Sequence, residues 1–217
     1  MDVKKRYRNN ASATSLRVAV TGGAASGKTS VCNRFKELGV KVISADSLAR
    51  EAVAPGSPFY EKIVKYFGKK VLARNGHLNR QALRRIIIRD DSARKILEQI
   101  THPEITRRMQ EKISEAEKGG EPVILVEVPL LFELNLEDKF DVVIVVIADY
   151  ESRIERLMER DKVSRRDAEA LLDTQLPDAE KIERAEFVIR NNGSRENMLE
   201  SVDYFYRKFC RKIHEKG

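Results

Sequence analysis

The sequence predicts an α/β protein built on a parallel sheet that is doubly wound with helices. Two continuous apolar runs, residues 123–126 and 142–147, have the composition of strands that are buried on both faces. Shorter apolar runs at residues 18–20, 40–43 and 187–189 are further candidate strands. Helical patterns separate these runs, and strands that alternate with helices along a chain favour a parallel sheet.

A glycine-rich loop follows the first predicted strand and matches the pattern G-x-x-x-x-G-K-T. Glycines let backbone N–H groups approach a polyphosphate, and the helix predicted at residues 29–38 points its positive end at the same anion. The lysine adds a charge for the β- and γ-phosphates, and the threonine hydroxyl is a candidate Mg²⁺ ligand. The alternative is a chance match in a glycine-rich turn. The predicted phosphate-binding residues are Gly22, Gly23, Ala24, Ala25, Ser26, Gly27, Lys28, Thr29 and Ser30.

Composition limits the class of protein and its partners. The formal net charge is +7, but the excess lies in residues 1–10 and 207–217, so we predict no nucleic-acid partner. No apolar run approaches the roughly 18 residues that span a membrane. Cys32 and Cys210 form no C-x-x-C pair, which indicates a reducing compartment and predicts a cytoplasmic protein. A monomer is expected, with an oligomer left open.

Two carboxylates follow predicted strands. Asp46 comes after the strand at residues 40–43, where strand ends of a parallel sheet present side chains to the ligand crevice. The alternative is that Asp46 caps a helix over residues 47–52. Glu127 follows the strand at residues 123–126, in the place of a carboxylate that holds Mg²⁺ directly or through water. Its alternative is a capping or surface acid.

Residues 51–119 contain more helix than a single crossover needs, so we interpret them as a helical lobe that covers the site. A helix is predicted over residues 81–100, and Thr101, His102 and Pro103 interrupt it before a second helix at residues 104–118. His102 alone is more typical of a structural hydrogen-bonding residue than of a catalyst.

Residues 150–184 are interpreted as a lid that carries arginines. Arg153, Arg156 and Arg160 are spaced so that one helical face presents all three. In a lid they would close on the phosphates and stabilise the charge of the transferring group. Glutamates lie between the arginines along this helix. The alternative interpretation is therefore a solvated helix stabilised by salt bridges between these glutamates and arginines.

The remaining segments complete the predicted organisation. The turn after residues 187–189 contains Asn191 and could contact an adenine, although as a plain turn it needs no function. The last segment is an amphipathic helix that packs on the sheet. We predict a flexible leader at residues 1–15 and one domain at 16–217, whose core comprises residues 16–50, 120–150 and 185–217.

Several motifs agree on one family. The chain resembles dephospho-coenzyme A kinase over roughly residues 17–209, and the later motifs are more specific than the phosphate loop alone. The matching stretches are TGGAASGKT at 21–29, ISADSLAR at 43–50, GHLNR at 76–80, ITHP at 100–103, VPLLFE at 128–133, RLMERD at 156–161, QLP at 175–177 with Lys181, and VI at 188–189 with NNG at 191–193.

The resemblance implies phosphorylation of the ribose 3′-hydroxyl of dephospho-CoA, the last step of coenzyme A synthesis, with ATP as co-substrate and Mg²⁺. It implies that Asp46 accepts the hydroxyl proton, that Lys28, Arg156 and Arg160 serve catalysis, and that Asn191 ends the adenine-binding segment. Thr29 and Glu127 are the predicted metal residues. The predicted substrate residues are Thr21, Asp46, Arg80, His102, Pro129, Leu130, Leu131 and Phe132.

The chain departs from the family pattern at three positions. Ser44 stands where the family often has a second acid, Ala25 where it usually has a glycine, and Arg153 where glutamine is common. Two other classes remain open from the sequence. One is a nucleoside or nucleoside-monophosphate kinase on the same fold. The other is a nucleotide switch or a nucleic-acid-linked ATPase, which would need switch loops and a basic groove.

Overall fold

The computed structural model describes residues 15–214, and within them five parallel strands form one sheet in the order β2-β3-β1-β4-β5. The predicted fold class, a doubly wound parallel sheet, is confirmed. Residues 1–14 of the predicted leader lie outside the described residues. The strands are β1 (Leu16–Thr21), β2 (Lys41–Ser44), β3 (Val123–Glu127), β4 (Val142–Ile147) and β5 (Phe187–Arg190).

Helices cover both faces of this sheet. The first and last helices pack on one face, and the second and fifth pack on the other. None of the helices within residues 15–214 is long and apolar enough to cross a membrane. The helices are α1 (Lys28–Glu37), α2 (Ala45–Ala52), α3 (Pro58–Phe67), α4 (Arg80–Arg89), α5 (Asp91–Lys118), α6 (Tyr150–Asp161), α7 (Arg165–Asp173), α8 (Asp178–Arg184) and α9 (Arg195–His214).

The central strands are buried on both faces, which explains their continuous apolar sequences. Every residue of β3 and β4 is buried. In β1 the side chains alternate between the faces, so that Val18 and Val20 pack with α1 and α9 while Ala19 packs with α2 and α5. Each large apolar side chain buried in this way contributes about 1.5–3 kcal/mol to folding.

The strand register brings the carboxyl ends of three strands together. Ser44, the last residue of β2, pairs with Glu127, the last residue of β3, and Glu127 also pairs with Val20 of β1. Because parallel strands end at the same edge of the sheet, these ends and the loop after β1 form one side of a crevice.

Helix α5 corrects one prediction, because Pro103 does not interrupt it. The helix runs from Asp91 to Lys118 with the proline inside. The break lies earlier, at Asp90, whose side chain caps the helix by accepting a hydrogen bond from the Ala93 N–H at 2.9 Å. Buried residues on both sides of the proline, Ala93 and Met109 among them, hold the helix together despite the missing N–H.

Two further hydrophobic clusters lie away from the sheet. One joins α3, α4 and the first half of α5 through Ile63, Phe67 and Leu83. The other joins α6 and α7 through Leu157 and Leu172, and it reaches the phosphate loop. These clusters give the segments that we interpret as the helical lobe and the lid their own packing.

We expect Pro103→Ala to stabilise the protein, because α5 continues through this position. An alanine restores one helical hydrogen bond, so the free energy of unfolding should rise by about 1–3 kcal/mol in urea titration. Gln110→Ala, at an exposed site on the same helix, should change it by only a few tenths of a kcal/mol. Equal changes in the two variants would contradict a continuous helix.

Candidate active site

The phosphate loop connects β1 to α1 and requires unusual backbone conformations. Gly27 precedes the first helical residue with φ 99°, in the left-handed region that glycine tolerates. Ala25 also has a positive φ, 57°. A left-handed conformation costs an alanine about 1–2 kcal/mol, which gives a physical reason for the glycine that the resembled family usually has there.

Side chains from distant segments hold the carbonyl groups of this loop. Arg153 donates from Nε to the Ala24 carbonyl at 2.9 Å, and Arg156 donates to the Ala25 carbonyl at 3.2 Å. Asn191 donates from its side-chain amide to the Ser26 carbonyl at 2.9 Å. The loop conformation is therefore fixed by protein groups before any ligand binds.

Close packing against two of these side chains explains two of the loop glycines. A Cβ atom on Gly23 would lie 2.0 Å from a guanidinium nitrogen of Arg153, and one on Gly27 would lie 2.1 Å from the amide nitrogen of Asn191. Arg153 is buried and also pairs with Asp178 at 3.1 Å. It therefore anchors the loop, whereas the solvated helix considered as the alternative would expose it.

Lys28 is buried beneath the loop. Its Nζ donates to the carbonyls of Gly22 and Gly23 at 2.9 and 2.8 Å. Burial lowers the pKa of Lys28 to about 8, an effect that the negative charges of Glu127 and Asp46 partly oppose. The lysine is thus poised to leave these carbonyls for an anion, which would favour its charged form.

Glu127 is a buried carboxylate at the end of β3. The Thr29 hydroxyl donates to its Oε1 at 2.9 Å, and the Ser44 hydroxyl donates to its Oε2 at 3.3 Å. The alternative of a surface acid is wrong, because the residue is only 6% exposed. A hydroxyl and a carboxylate beside a phosphate loop are oxygen ligands of the kind that Mg²⁺ prefers.

Asp46 lies in the first turn of α2, and the capping alternative for it is wrong. Ser44 is the N-cap, and its hydroxyl accepts a hydrogen bond from the Ser47 N–H at 3.4 Å. Burial lowers the pKa of Lys28 and Arg80, and the negative charge of Asp46 partly opposes both shifts. Asp46 also adds to the raised pKa of Arg160, which is due first to its hydrogen bond with Asp161, so these three cations lie around Asp46. Because Ser44 provides the cap, the Asp46 carboxylate is not engaged in capping α2, and it lines the cavity described next.

A cavity of about 800 Å³ brings many of the predicted residues together. The phosphate loop and Asp46 form one side, and α4, α5 and α6 form the others. Burial lowers the pKa of His102 in its wall, which favours the neutral imidazole near pH 7. Predicted residues that line the cavity are Ala24, Ala25, Gly27, Lys28, Thr29, Asp46, His102, Glu127, Pro129, Leu130, Arg156 and Arg160.

A second cavity of about 410 Å³ shares Gly27 and Arg156 with the first. Ser30 and Asn191 line it, as do residues of α1 and the start of α9. The phosphate loop therefore separates two spaces, and Arg156 lies between them.

Other predicted residues lie outside the two cavities. Arg80 begins α4 near Asp46, and burial lowers the pKa of its guanidinium. Leu131 and Phe132 are fully buried in the hydrophobic core beside α5. Thr21, the last residue of β1, is also fully buried. The Thr21 and Ser26 hydroxyls are buried without a hydrogen-bond partner among the described residues.

Several residues that line the cavity were given no role in the sequence analysis. Arg84 and Arg94 line it from α4 and α5, and Gln175 lines it from the end of α7. The motif QLP includes residue 175, but it did not indicate what the glutamine side chain does. The arginines carried no motif at all, and only the folded structure shows that two different helices bring them to one cavity.

This parallel sheet, its phosphate loop and an arginine-bearing helix over an open cavity define a P-loop kinase that acts on small molecules. The family model for dephospho-CoA kinase matches residues 16–197. The chain belongs to the dephospho-CoA kinase family.

Individual relatives agree with this assignment. The dephospho-CoA kinase of Geobacter sulfurreducens is 42% identical over 191 residues, which cover 88% of this chain and 97% of the relative. The solved dephospho-CoA kinase from Campylobacter jejuni is 31% identical with a TM-score of 0.66, over 90% of this chain and 98% of that one. Shikimate kinase from Acinetobacter baumannii, 14% identical with a TM-score of 0.51 over 93% of this chain and 97% of that one, shares the fold.

The lowered pKa of Lys28 predicts a pH-dependent affinity for nucleotides. Below pH 8 the free protein carries the ammonium that a polyphosphate requires, and above it binding must first take up a proton. The affinity for a non-hydrolysable ATP analogue should therefore fall about tenfold between pH 7 and 9 in calorimetric titration. Lys28→Arg keeps its charge over this range and should show no such fall. A pH-independent wild-type affinity would contradict the lowered pKa.

Proposed function

We propose that the protein transfers the terminal phosphate of ATP to the ribose 3′-hydroxyl of dephospho-CoA, giving coenzyme A and ADP. The observation that carries the proposal is the 800 Å³ cavity of this family member, in which the phosphate loop faces Asp46 and the helical lobe. A kinase needs a nucleotide site and an acceptor site within reach of one proton acceptor, and this cavity offers both.

The donor side is built for a polyphosphate. Lys28 contacts the β- and γ-phosphates once it leaves the loop carbonyls, while Arg156 and Arg160 approach from α6. These cations stabilise the charge on the transferring phosphoryl group. The second cavity, bounded by Asn191 and α1, takes the adenine ring.

Asp46 serves as the proton acceptor. The acceptor hydroxyl oxygen forms a bond to the terminal phosphorus, the bond from that phosphorus to the bridging oxygen of ADP breaks, and the hydroxyl proton passes to the Asp46 carboxylate. Because Ser44 caps α2, this carboxylate needs to satisfy no backbone group. One acid is therefore sufficient where the family often has two.

Mg²⁺ fits the pair formed by Thr29 and Glu127. Their hydroxyl and carboxylate oxygens lie 2.9 Å apart beside the phosphate loop. Mg²⁺ commonly takes one or two protein oxygen ligands and completes its shell with phosphates and water. Bound here, it would neutralise charge on the β- and γ-phosphates.

The acceptor side combines charge with apolar surface. Arg84 and Arg94 line the cavity from α4 and α5, next to Ile87 and Leu97. This combination suits a molecule with a diphosphate and a long pantetheine arm. We assign the acceptor to the lobe at residues 51–119, with residues 150–184 as the lid. Two unpaired cysteines support a reducing compartment, and we place the reaction in the cytoplasm.

Acceptor-dependent turnover tests the proposal directly. ADP release with ATP and Mg²⁺ should be high with dephospho-CoA and near background with AMP, uridine or no acceptor. Preference for AMP or uridine would favour a nucleoside or nucleotide kinase. Equal release without an acceptor would make the protein an ATPase and would contradict the proposal.

We expect Asp46→Asn to lower kcat with dephospho-CoA by about 10²–10⁴-fold, because the proton acceptor is lost. Affinity for the non-hydrolysable ATP analogue should change little, since the phosphate loop is intact. The matched control is Asp149→Asn, the same substitution at an exposed residue whose side chain caps nothing. Asp149→Asn should keep wild-type kcat. Full activity of Asp46→Asn would remove Asp46 from the mechanism.

A further inference from the structure

Gln175 makes an unusual contact with the phosphate loop. It follows α7, and its side-chain Oε1 accepts a hydrogen bond from the Ala24 N–H at 2.8 Å. Ala24 is thus held from both sides, since Arg153 binds its carbonyl at 2.9 Å. A backbone N–H can only donate, so the oxygen of the carboxamide must face the loop.

The other half of the carboxamide has no hydrogen-bond partner among residues 15–214. The Nε2 of Gln175 carries two N–H donors, and neither is bonded to another group within the part of the chain that the structure describes. Gln175 lines the same cavity as Lys28, Thr29 and Arg156. A planar carboxamide pinned by its oxygen at the loop therefore holds its donors beside the phosphate site.

An ion pair between the buried Lys181 and the partly buried Glu133 lies next to the backbone that follows Gln175. Glu133 accepts a hydrogen bond from the Leu176 N–H at 3.3 Å and pairs with Lys181 of α8, also at 3.3 Å. Lys181 is completely buried. Burying such a pair is unfavourable because both charges lose solvation. Its best-attested role in proteins is to specify one geometry. Here the fixed element is the segment that carries Gln175.

We propose that Gln175 is a further substrate-contacting residue, whose side-chain amide donates to the terminal phosphate of the nucleotide. Glu133 and Lys181 are positioning residues that hold it there. The inference rests on the proposed kinase function for its meaning in catalysis. The contact itself is a property of nucleotide binding and can be measured without an acceptor.

The discriminating measurement compares two nucleotides that differ in the terminal phosphate. Calorimetry with Mg²⁺ gives the affinity for ADP and for a non-hydrolysable ATP analogue. Gln175→Glu keeps an oxygen for the Ala24 N–H but loses the donors and adds a negative charge. Gln175→Met adds no charge but loses both the donors and the oxygen that holds Ala24. Both should weaken binding of the analogue about tenfold or more, while ADP affinity stays within about threefold.

Controls separate the contact from general damage to the loop. Gln110→Glu introduces the same charge change on the exposed surface of α5 and should leave both affinities unchanged. Equal weakening of ADP and analogue in both Gln175 variants would show that Gln175 only shapes the loop. Unchanged binding of both nucleotides would remove it from the phosphate site. Either result would overturn the proposal.

The positioning role of the ion pair has its own test. Glu133→Gln combined with Lys181→Met replaces the pair by neutral groups of similar size and keeps an oxygen for the Leu176 N–H. The double variant should bind the ATP analogue about threefold to tenfold more weakly, with little change in its affinity for ADP. A general loss of stability is not expected to lower one affinity and spare the other. An equal loss of affinity for ADP would contradict the positioning role of the ion pair.

The proposed function can fail separately. A wild-type protein that binds both nucleotides but does not phosphorylate dephospho-CoA would refute the proposed function, while the nucleotide-binding result for Gln175 would still stand.

Discussion

The buried carboxylate of Glu127 joins the three segments on which the site depends. Its two oxygens accept hydrogen bonds from Thr29 at the start of α1 and from Ser44 at the end of β2, while its own backbone closes β3. A buried charge without such partners would be costly, so the three strand and helix ends are held in one arrangement. Ser44 also caps α2, and this sets the position of Asp46. The end of the phosphate loop at Thr29 and the turn that carries Asp46 are thus both tied to the Glu127 side chain.

The phosphate loop shows how the chain maintains a strained conformation. Ala25 has a left-handed backbone, and Lys28 is buried against carbonyl groups. Hydrogen bonds from Arg153, Arg156 and Asn191 offset these costs, and each comes from a segment more than a hundred residues away. The loop is therefore stable only in the folded protein, where β5 and α6 supply its support.

Much of the fold followed from the sequence because its strands are buried on both faces and read as apolar runs. The loop, Asp46 and Glu127 also followed, since strand ends in a parallel sheet meet at one edge. Pro103 misled us, because a local rule against proline in helices ignored the tertiary packing that holds α5 together. The burial of Leu131, Phe132 and Arg153 could not be predicted either. A motif specifies residue types, but it does not tell which side chains are buried.

Ion pairs join α4 to α6 and α7 on opposite sides of the cavity. Arg84 of α4 pairs with Asp161 at the end of α6, and Asp161 also receives Arg160. Arg89 reaches Asp167 of α7 at 3.3 Å. Arg160 of α6 is therefore linked, through the Asp161 carboxylate, to Arg84 of α4, and both arginines line the cavity. An anionic ligand that drew Arg84 into the cavity would leave Asp161 paired with Arg160 alone, so a change at α4 would be felt at α6 through this one carboxylate.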